Sequence, residues 1–144
     1  MIILILKWIV TLDLSFLIFS IPIIFFQIIF INSFELPTLE GDKLCNKITW
    51  IVSKGREFGF KLNAICGVLA TLSFIIIPYT KLFPSDINFR VLVLISLISL
   101  ILGLYPLFKR RFDREFITKF VKINVAALFL MSLLIDGYFI YLII

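Results

Sequence analysis

Four apolar runs, each long enough to cross a lipid bilayer, constrain the fold of this chain more than any other feature. About twenty apolar residues span the hydrocarbon core as an α-helix, and a backbone in lipid must satisfy its own hydrogen bonds. We therefore predict an all-α fold, an integral membrane bundle of four transmembrane helices in a single domain, residues 1–144. The predicted spans are residues 9–31, 61–79, 88–108 and 123–144.

The composition agrees with this class and argues against several others. Of the 144 residues, 62% are hydrophobic and 16% are charged, which is outside the range of soluble globular domains. Histidine is absent, and the two cysteines, Cys45 and Cys66, form no CxxC pair. The chain therefore lacks the commonest general base and metal ligand and the paired thiols of disulfide-exchange enzymes. We expect no enzymatic activity, no cofactor and no metal site.

Basic residues lie mainly in the connections between the apolar runs. Residues 109–122 hold six Lys or Arg, and eleven of the 14 in the chain belong to the first and third connections or their edges. Because short basic loops stay in the cytoplasm, we predict a bacterial inner membrane protein with both termini outside the cytoplasm. Lys7, before the first run, favours the opposite orientation. We expect these cations to meet lipid headgroups and no nucleic acid.

The first connection, residues 32–60, combines turn signals with an amphipathic pattern. Its first ten residues include the turn formers Asn32, Ser33, Pro37 and Gly41. Apolar residues then recur at helical spacing, at Leu44, Ile48, Ile51 and Val52. This spacing predicts a short amphipathic helix lying on the membrane surface, with Trp50 near the headgroups. An extended segment through residues 48–52 is the alternative interpretation.

Phenylalanines recur every four residues through the third connection, at Phe108, Phe112, Phe116 and Phe120. This spacing indicates a helix with one aromatic stripe, and Glu115 and Lys119 are placed to pair one turn apart. The segment would prolong a neighbouring span or lie in the headgroup layer. The stripe packs against lipid and helix ends, or it forms a docking surface for a cytoplasmic partner.

Two acids, Asp13 and Asp136, fall within predicted spans. With four spans, the start of the first and the end of the last share a leaflet, so both acids lie in the same half of the membrane. Three roles remain open for Asp136: an ion pair with Arg90 or Lys81, part of an ion or proton path, or a contact with another subunit or protein. Tyr138 and Tyr141 are possible hydrogen-bond partners, and Ser132 would share the face of Asp136. Ser85 and Asp86, an oxygen cap followed by an acid, predict the start of the third span.

Small and amide side chains predict how the helices meet. Small residues form one face of the second span, at Ala64, Gly67, Ala70 or Thr71, and Ser73, and one face of the third, at Ser96, Ser99 and Gly103. Such faces let helices approach closely. Three amides share the leaflet opposite Asp136, where we predict interhelical hydrogen bonds, at Gln27, Asn63 and Asn124.

These features favour a non-enzymatic interaction module that binds a protein partner or forms a homo-oligomer in the lipid bilayer. In size, number of spans and lack of catalytic residues, the chain is similar to small immunity proteins against pore-forming toxins and to membrane subunits of bacterial antiviral defence systems. This similarity is one of general architecture. The alternative is a small oligomeric ion channel or a proton-coupled transporter that uses Asp136 and Asp13. Small multidrug transporters also have four spans and an acid in the first, but they lack the long first connection seen here.

Overall fold

The computed structural model describes residues 14–83, 87–110 and 113–143, and in these residues the fold is helical with no β-strand. The α-helices are α1 (Leu14–Leu44), α2 (Trp50–Lys54), α3 (Arg56–Ile76), α4 (Phe89–Lys109) and α5 (Arg114–Ile143), and a 3₁₀ turn (Ile77–Thr80) follows α3. Four of them, α1, α3, α4 and α5, are long and apolar enough to cross a membrane. The predicted all-α class with four long apolar helices is confirmed.

The four long helices pack antiparallel in a ring that follows chain order. Contacts join α1 to α3, α3 to α4, α4 to α5, and α5 back to α1. At one end of the ring, Phe19 of α1 meets Phe74 of α3 and Phe139 of α5, with ring centroids 5.9 and 5.3 Å apart. We call this the aromatic end. The opposite end, where α1 and α4 finish and α3 and α5 begin, is the basic end.

The closest helix contact lies between α3 and α4. A Cβ added at Gly103 would lie 3.0 Å from the Cα of Ala64, and one at Gly67 would lie 3.2 Å from the Cα of Leu100. Glycine favours this approach, because a side chain at either position would press against atoms of the partner backbone. Ser96 and Ser99 are buried in the same seam. The two small-residue faces therefore meet each other, and the close helix approach predicted for such faces occurs between them.

Helix α1 is longer than the sequence predicted. The turn signals from Asn32 onward suggested an end near Ile31, but the helix continues to Leu44 through Pro37 and Gly41. The prediction was wrong because tertiary contacts outweigh local propensity: Leu36 is fully buried against α2 and α5. Arg56 at the start of α3 also binds Glu40, with 2.8 Å between Nη2 and Oε1.

The first connection contains a helix of five residues, α2, in place of the longer amphipathic helix predicted. Residues 45–49 are not helical, so Leu44 and Ile48 are not on the same helix as Ile51. The Thr49 side chain accepts a hydrogen bond from the Val52 N–H and starts α2. Gly55, with φ of +87°, then turns the chain into α3. Only Ile51 of this pattern is fully buried, whereas Leu44 and Ile48 are 86% and 95% exposed.

The ends of α4 and α5 are set by polar caps. Helix α4 starts after Asn88, whose side chain accepts from the Arg90 N–H; the cap predicted at Ser85 and Asp86 lies outside the described residues. Helix α4 ends at Lys109, and the next residue, Arg110, has a left-handed φ of 49°. Asp113 accepts from the Phe116 N–H and begins α5. The basic segment therefore prolongs the last helix, one of the arrangements that the sequence allowed.

Candidate functional site

Asp136 lies in an open groove between α1 and α5. The groove has a volume of about 350 Å³, and two other polar side chains line it, Gln27 from α1 and Ser132 from α5. Asp136 and Ser132 are one helical turn apart, so they share a face as predicted. The remaining lining is apolar: Ile23, Phe26, Phe30, Leu128, Phe129, Met131 and Ile135. The groove is thus a largely apolar surface with a carboxylate near one end.

Within the described residues, Asp136 forms no ion pair and no hydrogen bond. The ion pair with Arg90 or Lys81, one of the three roles that the sequence left open, is therefore not formed. Arg90 lies in a different groove, between α3 and α4, and Lys81 is exposed after the 3₁₀ turn, with a left-handed φ of 55°. Asp13, the other predicted acid, lies outside the described residues. The Asp136 carboxylate is consequently available to a group from another molecule.

Tyr138 does not bind Asp136, although the sequence suggested it. Its hydroxyl accepts a hydrogen bond from the backbone N–H of Asn88, the residue that caps α4. The first N–H groups of a helix have no partner within the helix, so a side chain from α5 supplies one here. The other candidate, Tyr141, is 77% exposed. Tyr138 is a link between α4 and α5 at the aromatic end.

The aromatic stripe of the basic segment is divided by the structure. Phe108 belongs to α4 and is exposed, while Phe116 and Phe120 belong to α5, with stacked rings 6.0 Å apart. Phe120 is only 4% exposed and packs against Phe60 of α3. Phe112 lies outside the described residues. The prediction that Phe108 shares one stripe with Phe116 and Phe120 was wrong, because α4 ends before Arg110 and the two phenylalanines that follow belong to a different helix.

A buried polar cluster joins three helices toward the basic end. The Asn32 side-chain amide of α1 donates to the Gly59 carbonyl and to the Asn63 side chain of α3. The Ser33 hydroxyl accepts from Asn63 at 3.4 Å and from Asn124 of α5 at 2.7 Å. We call Asn32, Ser33, Asn63 and Asn124 the amide cluster. All four side chains are buried, so the cluster fixes the helices and presents no open binding surface.

The sequence prediction for the amides was right for two residues and wrong for a third. Asn63 and Asn124 make interhelical hydrogen bonds as predicted. Gln27 is exposed and makes none within the described residues, because it faces the groove. Asn32 and Ser33 were missed, since they were assigned to a turn.

The polar groups of the groove are one carboxylate, one amide and one hydroxyl, those of Asp136, Gln27 and Ser132. Among the described residues, no group of three or more His, Cys, Asp or Glu side chains could hold a metal ion. Of the cysteines, Cys45 is exposed and Cys66 is buried, and both are free. In comparisons with known proteins, no family model, no curated protein and no solved structure matches this chain. Its function is therefore inferred from its own residues.

Proposed function

We propose that this chain is a non-enzymatic, multi-pass protein of the bacterial inner membrane that acts as an interaction module. Its role would be that of an immunity protein against a pore-forming toxin or of a membrane subunit in a bacterial defence system. The observation that carries the proposal is the open groove between α1 and α5, in which Asp136 has no partner within the described residues.

The free energy of insertion explains why such a groove favours a partner. In a bilayer the groove faces lipid, where an unpaired carboxylate at the bilayer centre costs about 2.5–3.5 kcal/mol on insertion scales. The cost is smaller for Asp136, which lies seven residues from the end of α5. A neighbouring transmembrane helix that donates hydrogen bonds or carries a positive charge removes part of this cost. Gln27 and Ser132 offer two more polar contacts, and the aromatic side chains of Phe30 and Phe129 provide apolar packing area.

The charge distribution supports the membrane orientation in this proposal. The basic end holds Lys43, Lys54, Lys109 and Arg114 and would face the cytoplasm. At this end, the connection between α1 and α3 exposes three apolar side chains, Leu44, Ile48 and Trp50. They would enter the headgroup layer beside the neighbouring lysines. Both termini would then lie outside the cytoplasm, on the side of the aromatic end.

The alternative, an oligomeric channel or proton-coupled transporter, draws on the same acid. Asp136 is accessible, as a residue in an ion path must be. Between Asp136 and the amide cluster, however, the bundle interior is filled by apolar side chains, including Ile29, Cys66 and Met131. One copy therefore offers no polar path through its described core, and conduction would need several copies around a shared axis.

Photo-crosslinking in native membranes tests the interaction module. We expect a photoreactive amino acid at Ser132, in the groove, to yield a crosslink to a defined protein, with the yield reduced when Asp136→Leu removes the carboxylate. The same amino acid at Ile123, which is exposed on α5 in the groove toward α4 and away from Asp136, is the matched control and should not give this product. Pure protein that carries ions across liposomes, and loses this activity with Asp136→Asn, would instead support the channel.

A further inference from the structure

Arg90 and Asp136 lie at similar levels of the bundle. The hydrogen bond from the Asn88 N–H to the Tyr138 hydroxyl joins Asn88 and Tyr138 on antiparallel helices, so their heights differ by no more than the length of the tyrosine side chain. Arg90 is two residues from Asn88 along α4, and Asp136 is two residues from Tyr138 along α5, in the same direction toward the basic end. At about 1.5 Å per residue, each is about 3 Å from the bonded residue of its own helix.

The two charges nevertheless lie on opposite faces. Because the helices form a ring in the order α1, α3, α4, α5, the groove between α3 and α4 is opposite the groove between α5 and α1. Arg90 lines the first, which has a volume of about 810 Å³ and apolar walls that include Phe74, Val93 and Leu94. Asp136 lines the second. Neither residue has an ion-pair partner among the described residues.

We propose that the partner in the Asp136 groove is a second copy of this chain, which presents its Arg90 face. This inference rests on the proposed function, because it names the occupant of the same groove. Copies inserted in one membrane share one orientation, so similar depth lets Arg90 of one copy meet Asp136 of the next. The pair neutralises an exposed cation and an exposed acid that have no ion-pair partner in the described part of a single chain.

The positions of the two faces determine the symmetry of the assembly. A two-fold dimer through the α1 and α5 face would bring Asp136 against Asp136, which like-charge repulsion disfavours. Contact between the Arg90 face and the Asp136 face is head-to-tail, and each copy keeps one free face after pairing. Because the faces are on opposite sides, the contact repeats along a row and does not close at two copies.

Disulfide crosslinking between two tagged copies tests this arrangement. In a Cys45→Ser background with buried Cys66 retained, one copy carries Leu94→Cys and the other Ser132→Cys. Leu94 is six residues from Asn88 and Ser132 is six residues from Tyr138, so their depths are similar. We expect a mixed dimer on oxidation in membranes, no dimer between two Ser132→Cys copies, and a ladder of oligomers when one chain carries both cysteines.

The matched control uses the same helix face at a different depth. Ile101→Cys lies seven residues after Leu94 on the exposed side of α4, about 10 Å further from the aromatic end. It should not crosslink to Ser132→Cys. Arg90→Asp in the Leu94→Cys copy, or Asp136→Arg in the Ser132→Cys copy, should lower the yield of the mixed dimer by about tenfold. When both substitutions are present, one in each copy, the charges attract again and the yield should recover.

The outcomes separate this inference from the proposed function. Homotypic Ser132 dimers, or no Leu94–Ser132 product from variants that accumulate normally, would overturn the head-to-tail assembly. If Ser132 then crosslinks to a different protein in a manner that depends on Asp136, the interaction module stands and only the self-association fails. If no protein reaches Ser132 in either experiment, both proposals fail.

Discussion

At the level of single residues, burial separates polar side chains that hold the fold from those that are available to a partner. Asn63 could be assigned to the first group from the sequence, since four spans place it in the same half as Asn124. Asn32 could not, because asparagine is also a strong turn former, and its partner, the Gly59 carbonyl, is 27 residues away. Local propensity favoured the turn, and a distant hydrogen-bond acceptor determined the helix.

Replacing Asn63 tests the amide cluster. Asn63→Leu keeps a similar volume but removes the hydrogen bonds to Asn32 and Ser33. We expect the free energy of unfolding to fall by about 1–2 kcal/mol, since interhelical hydrogen bonds contribute modestly in membrane proteins and buried partners lose their bonds. Unfolding with increasing SDS in mixed micelles, followed by circular dichroism, measures the change.

The control for this substitution is Ser73→Ala. The Ser73 hydroxyl bonds to the Leu69 carbonyl of its own helix, so its loss breaks no contact between helices. We expect a change within about 0.5 kcal/mol, as for most substitutions away from the core. Equal effects for Asn63→Leu and Ser73→Ala would show that the cluster does not stabilise the bundle.

At the level of elements, the seam between α3 and α4 is the best test of how the helices pack. Gly103→Ala would bring a methyl group to 3.0 Å from the Ala64 Cα, and the two backbones would have to separate. We expect a loss of about 1–3 kcal/mol in unfolding free energy, which is typical of overpacking. The same SDS titration applies.

Gly41→Ala makes the identical chemical change on α1, where nothing lies within 4 Å of the added Cβ. It should be neutral or stabilising by about 0.5–1 kcal/mol, because alanine is the better helix former. If Gly103→Ala is as well tolerated as Gly41→Ala, the close approach of α3 and α4 is wrong.

The extension of α1 beyond its predicted end gives a second test at this level. Leu36 is fully buried among Ile51, Phe60 and Ile117, so Leu36→Ala should cost about 2–5 kcal/mol. Leu44→Ala, at the exposed end of the same helix, should cost less than about 0.5 kcal/mol. A helix that ended near Ile31 and left a loose loop would make both substitutions equally mild.

Helix existence and helix boundaries differ in how far the sequence determines them. The four long helices and the small-residue faces at Gly67 and Gly103 could be predicted from the sequence, because composition and spacing are local properties. The end of α1 and the single turn of α2 were not, since both depend on which side chains meet Leu36 and Ile51 in the folded bundle. The position of Gln27 in the groove likewise followed from packing.

For the whole molecule, the proposed orientation can be measured directly. Alkaline phosphatase is active only outside the cytoplasm, and fluorescent protein is bright only inside it. We expect a fusion after Ile144 to be active as alkaline phosphatase and dark as fluorescent protein, and truncated fusions after Arg110 to show the reverse. Bright fluorescence after Ile144 would contradict the orientation and would place the basic end outside.

The two longest helices have a mechanical consequence for the molecule. Helices α1 and α5 contain 31 and 30 residues, about 45 Å each, and both border the groove that holds Asp136. Each continues without interruption to the basic end, where Leu36 and Phe120 share one core. In the proposed orientation, a helix bound between them near Asp136 would displace both α1 and α5, and the displacement would reach their far ends on the cytoplasmic side.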